Sequence, residues 1–150
     1  MIVLNIIKLG DMCLESVRLF PKRAKEDIVV GKELHFIGGK LVTSIRSYPI
    51  TNTVLKTNWG LFDILKLLFK KCHDRYIIEG GILHSYNLDT SCGYFKESVL
   101  SGIVDGRALY VKAVIPKGAL YYKDYWGYTY ASNKLILMPS KEQLPYFENK

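Results

Sequence analysis

Leu109, Val111, Ala113 and Ile115 alternate with Tyr110, Lys112 and Val114, which is the period of a β-strand with one face more deeply buried than the other. Pro116-Lys117-Gly118 follows with turn chemistry, Pro fixing φ and Gly relieving the steric limit, so a tight turn with Gly118 at positive φ is expected there. Two more strands are expected at Leu120 to Lys123 and Tyr128 to Ala131, joined across Asp124 to Gly127, and a last one at Lys134 to Met138 stops at Pro139. This segment reads as a β-meander. Its turn matters because a slip of one residue would exchange the buried and exposed faces of the strands after it.

The first third of the chain also reads as short strands, at Ile2 to Leu9, Cys13 to Phe20, Lys32 to Ile37 and Lys40 to Ile45. Gly38-Gly39 supplies the geometry of a tight hairpin, Pro21 ends the second strand, and Lys22 to Asp27 is its charged, solvated connection. Leu61, Phe62, Leu65, Leu68, Phe69 and Cys72 recur at helical spacing, with Asn58 as N-cap, Asp63 in the first turn and Lys66, Lys70 and Lys71 towards the other end. A weaker helix is expected from Asp89 to Leu100, with Cys92, Phe95 and Val99 inward and Gly102 just past its end. The fold class predicted is therefore α+β, mainly antiparallel strands with one clear and one weaker helix and a C-terminal β-meander. At 150 residues, 49% of them apolar, and with no internal repeat or linker, residues 1 to 150 read as a single domain with a real core.

Several function classes are narrowed by composition. The apolar start lacks a basic region and a small-residue cleavage site, so it reads as a strand and not a signal peptide, and no apolar run reaches the length of a membrane span. Cys13, Cys72 and Cys92 have spacings that suit neither a disulfide framework nor a zinc site, and a reducing cytosol fits them best. The net charge is +7, yet the first fifty residues hold 8 Lys and Arg against 5 Asp and Glu, the second fifty 6 against 5, and the last fifty 7 against 4. Such an even spread favours solubility over a dedicated nucleic-acid site, which needs clustering on one face.

Cys72-His73, Cys92 and His84 invite a nucleophile or metal reading, but their spacings match neither, so no catalytic residue, metal or cofactor is assigned. Gly31-Lys32 and Gly38-Gly39-Lys40 fit no phosphate-loop pattern and read as hairpin turns. The least average feature is the aromatic cluster Tyr121, Tyr122, Tyr125, Trp126, Tyr128 and Tyr130, flanked by Lys117, Lys123 and Lys134. Alternate rings there fill a core, or the hairpin is a surface for binding another protein; stacking on bases is a third use.

The run Gly80-Gly81-Ile82-Leu83-His84-Ser85-Tyr86, then Tyr110 to Ile115, Pro116-Lys117-Gly118, Tyr121-Tyr122 and Tyr130-Ala131-Ser132-Asn133-Lys134-Leu135-Ile136, resembles a module of small proteins from bacteriophages and gut Bacteroidetes. Those share an IPKG-x-x-Y-Y turn and a closing [AS]-S-[ND]-x-[LI] strand; the likeness spans residues 34 to 138 and implies a fold more than an activity. The module is loosely similar to ADP-ribosyltransferase-like folds, which would place Ser44, Arg46, His84 and Tyr86 in an NAD cleft. No Glu-x-Glu or Gln-x-Glu stands on a late strand, so a non-catalytic relative is the simpler implication. The aromatic cluster and the absence of a catalytic motif, beside this resemblance, lead to the expectation of a non-enzymatic, phage-type interaction protein that binds a protein partner through the aromatic hairpin, within a large assembly, in the host cytoplasm or the virion. An NAD-using enzyme and a nucleic-acid-binding module are the alternatives.

Overall fold

The computed structural model describes residues 22–44, 47–56, 84–123 and 127–148, together with the backbone of five short strands elsewhere in the chain. In chain order the strands are β1 (Val3–Leu4), β2 (Ile7–Leu9), β3 (Met12–Leu14), β4 (Val17–Arg18), β5 (Lys22–Arg23), β6 (Ile28–Ile37), β7 (Lys40–Thr43), β8 (Val54–Lys56), β9 (Arg75–Tyr76), β10 (His84–Asn87), β11 (Val104–Asp105), β12 (Ala108–Ile115), β13 (Leu120–Lys123), β14 (Thr129–Ser132) and β15 (Lys134–Met138). Among the described residues the helices are α1 (Gly93–Ser101) and α2 (Leu144–Glu148). This is the expected α+β fold of mainly antiparallel strands. Strands β1 and β4 pair with each other, and β2 joins β3 antiparallel and β9 parallel. The helix expected at Leu61 to Cys72 lies outside the described residues.

Ten strands form one sheet, and its centre is a single long ladder. β6 pairs with β12 from Ala108↔His35 to Ile115↔Ile28, and β5 continues against β13 at Leu120↔Arg23 and Tyr121↔Lys22 without a change of register. Ala24 and Ala119 bridge the two halves, Ala24 N donating to Ala119 O at 2.8 Å. Residues 22–35 and 108–121 are thus two long strands that bend together.

The four C-terminal strands all form and all pair antiparallel, but their order in the sheet differs from a simple meander. β12 and β13 share one partner segment and are not neighbours of each other; β13 pairs with β14 and β12 with β15. Pro116 to Ala119 forms the expected tight turn, Ala119 N donating to Pro116 O at 3.0 Å, but the turn is a corner in one bent strand and does not make β12 and β13 neighbours as a meander would. Gly118 does take positive φ, at 89°.

Closure follows from the same pairings. β6 joins β10, β10 joins β14, β14 joins β13, and β13 returns to β5, which leads into β6. Side chains inside this curved sheet are removed from water: Val30, Leu34, Leu109, Val111, Ala113, Ile115, Leu135 and Leu137 are buried, and Phe147 of α2 joins the same cluster. Lys22 to Asp27, expected as a solvated connection, instead contributes β5 and the buried Ala24.

Local chemistry explains the remaining boundaries. Gly38 and Gly39 both take positive φ and close a two-residue hairpin between β6 and β7, as expected. Gly31-Lys32 is not a turn: it lies in the middle of β6, where Gly31 leaves room for Phe95 and Val99 of α1. α1 starts four residues later than the sequence suggests, because Asn87 Oδ1 accepts from Asp89 N and Asn87 O accepts from the Ser91 hydroxyl, holding 88–91 as a turn. Cys92 is then an exposed N-cap and not an inward residue, while Gly102 ends the helix in the left-handed conformation as anticipated.

Candidate functional site

The aromatic hairpin divides between interior and surface. Tyr122 and Tyr130 are buried in the core, so these two rings are structural; burial also pushes both hydroxyls above the ordinary tyrosine range. Tyr121 is half-buried and meets Tyr130 edge to face at 5.7 Å. Tyr128 is 54% exposed. Tyr125 and Trp126 lie outside the described residues, and of the hairpin's described rings only Tyr121 and Tyr128 are open to a partner.

Of the four residues expected around an NAD cleft, Ser44, His84 and Tyr86 lie among the described residues. Ser44 is exposed just beyond β7, and Arg46 lies outside the described residues. His84 is buried, while Tyr86 packs edge to face on Phe95 of α1 at 5.4 Å. β7 and β10 do border the same edge of β6, one at residues 34–37 and the other at 30–31.

That edge holds Lys32, which the sequence suggested only as part of a hairpin turn. Lys32 sits on the inward face of β6 between Val30 and Leu34, 3% exposed, and donates from Nζ to His84 O at 2.6 Å. Burial pushes its ammonium down to about 7. Ser85 and Ser132 are buried nearby in the sheet, on β10 and β14, and their hydroxyls have no hydrogen-bond partner among the described residues. A lysine breaking the apolar alternation Val30, Lys32, Leu34 was the available signal.

The outer face of the sheet carries an arrangement open to a partner. α1 covers it over Gly31 and Tyr110, where Tyr94 and Phe95 stack edge to face on Tyr110. Beyond the helix, the register aligns Val29, Val114, Ile136 and Val54 in one row across β6, β12, β15 and β8. Val29 is 44% and Val54 38% exposed, and Met138, on the same face two residues beyond Ile136, is 48% exposed. Lysines rim the row: Lys112, paired with Met138, on one side, and Lys134, paired directly with Lys56, on the other.

Among the described residues no three His, Cys, Asp or Glu side chains gather as a metal site would require, and no helix is long and apolar enough to cross a membrane. Comparison with known proteins finds no matching family model, no similar curated protein and no similar solved structure. Function is therefore argued from this face alone.

Proposed function

We propose that this protein is a non-enzymatic interaction protein, of the phage accessory type its sequence resembles, and that it docks a partner protein on the outer face of the sheet. The observation that carries the reading is the four-strand apolar row of Val29, Val114, Ile136 and Val54, left uncovered by α1 and rimmed by lysines. Partly exposed β-branched side chains aligned across four strands bury apolar area when covered, at roughly 25 cal/mol per Å². The occupant is set by charge. A second copy would bring lysines against lysines, whereas a segment carrying apolar side chains flanked by Asp or Glu satisfies both the row and its rims. No observation comparably favours the NAD-using alternative.

The test uses a designed probe. A fluorescent peptide alternating Glu with Ile and Val is expected to bind, measured by anisotropy, and its Lys-for-Glu counterpart is not. Ile136→Glu should abolish the binding, because it places a carboxylate in the middle of the row. Equal binding of both peptides, or binding indifferent to Ile136→Glu, would overturn the proposal.

A further inference from the structure

At the bend of the long ladder, a concavity of about 410 Å³ is lined by Lys56, Lys134, Asn133 and the Pro116 to Ala119 corner, Lys117 included. Three lysines from three separate segments face one space. Lys56 and Lys134 are directly opposite on neighbouring strands, a like-charge pairing that disfavours the fold. None of the three has a carboxylate partner among the described residues. Asp27 accepts from the Lys117 backbone N–H at 2.8 Å and does not line the space.

The floor is held in place before any ligand arrives. Ala119 N donates to Pro116 O, Gly118 N to Ala24 O, and the Arg23 guanidinium to Gly118 O at 2.7 Å. A fixed floor lined by three lysines suits a multiply charged anion. Its volume exceeds what a lone inorganic ion fills and falls in the range of small-molecule sites. The cations surround one concavity and do not line a track, which favours a compact anion over a polymer backbone.

We propose that this corner is a binding site for a small organic phosphate, with Lys56, Lys117 and Lys134 as its anion ligands. The site shares Lys56 and Lys134 with one rim of the apolar row, but Lys117 and the Pro116 to Ala119 corner lie beyond the row, so it stands whether or not that row docks a protein. Phosphate oxygens would neutralise the opposed lysines, and the remainder of the ligand would lie over the Pro116 to Ala119 backbone.

Calorimetric titration with adenosine 5′-monophosphate, pyrophosphate, adenosine and sulfate tests it at low salt. The phosphates are expected to bind and adenosine and sulfate are not. The Lys117→Ala/Lys134→Ala double variant should weaken phosphate binding by about tenfold or more while its melting temperature is retained, and Lys40→Ala, which removes a charge at the β6–β7 hairpin, should leave the affinity unchanged. Phosphate binding no tighter than sulfate, or equal in the double variant, overturns the proposal. So does an oligonucleotide that binds far more tightly than the mononucleotide with a steep salt dependence, since that outcome assigns the lysines to a nucleic-acid backbone.

Discussion

Burial holds the Lys32 ammonium down to about 7, whereas in the unfolded chain it titrates near 10.5. Between those values the unfolded state binds more protons than the folded state, so this residue makes stability rise with pH across the window. Below about 7 its penalty is fully present, and above 10.5 it is gone. Lys32→Met should therefore gain stability relative to wild type at pH 7 compared with pH 10, by on the order of a few kcal/mol. Urea midpoints at the two pH values check this, and a pH-independent difference would count against the desolvation argument. Gly118 presents another single-residue constraint: its φ is 89°, but a Cβ built there meets nothing within 4 Å. Any cost of a side chain is then backbone strain, not collision. Gly118→Val should cost about 1–3 kcal/mol, and the exposed Lys117→Ala less than about 0.5, in denaturant unfolding.

Between elements, the seat of α1 on β6 depends on the missing side chain at Gly31. A Cβ there would lie 2.8 Å from Phe95, 2.9 Å from Val99 and 3.0 Å from Leu88. Three apolar contacts that close, from a helix and the loop that leads into it, cannot all relax independently. Gly31→Ala is expected to destabilise by roughly 1–3 kcal/mol through overpacking, despite removing a glycine from a strand. Gly93, at the start of α1 with nothing near its Cβ position, provides the contrast. There, Gly93→Ala should be neutral or stabilising by up to about 1 kcal/mol, because only helix propensity changes. Thermal melts of both variants separate close packing from propensity, and a harmless Gly31→Ala would mean that α1 does not sit on β6 as described.

At the scale of the whole molecule, the bent ladder and its closure bring distant charges together. Lys56 and Lys134 are opposed only because β8 pairs with β15, and Lys117 joins them only because the long strand bends at Pro116. Replacing one lysine of the opposed pair by an acid should turn repulsion into attraction. Lys134→Glu is expected to raise stability by about 0.2–1 kcal/mol at low salt, with the gain shrinking as salt is added. A loss of stability at low salt would show that the two ammonium groups do not repel in the folded protein. If the gain is found together with loss of phosphate binding, the native lysines sacrifice stability for a ligand.

The sequence by itself determined the strands with a clean period of two, the hairpin at Gly38-Gly39, the positive φ of Gly118 and the end of α1 at Gly102, because each follows from local backbone sterics or from one-sided burial. It could not determine which strands are neighbours. Alternation in Leu109 to Ile115 specifies two faces but not the partner on either edge, so a corner within one bent strand looked the same as a hairpin turn. Short strands such as His84–Asn87 and Val54–Lys56 carry too few residues for a periodic signal, and they form because the edges of β6, β14 and β15 supply their hydrogen bonds. The aromatic hairpin stood out in composition, yet Tyr122 and Tyr130 proved to be core, since which side of a strand is inside depends on what closes over it. Charge followed the same logic in reverse. Lysines spread evenly along the chain gave no sign of a site, and only strand pairing, which sets neighbours without regard to sequence distance, gathered Lys56, Lys117 and Lys134 around one corner.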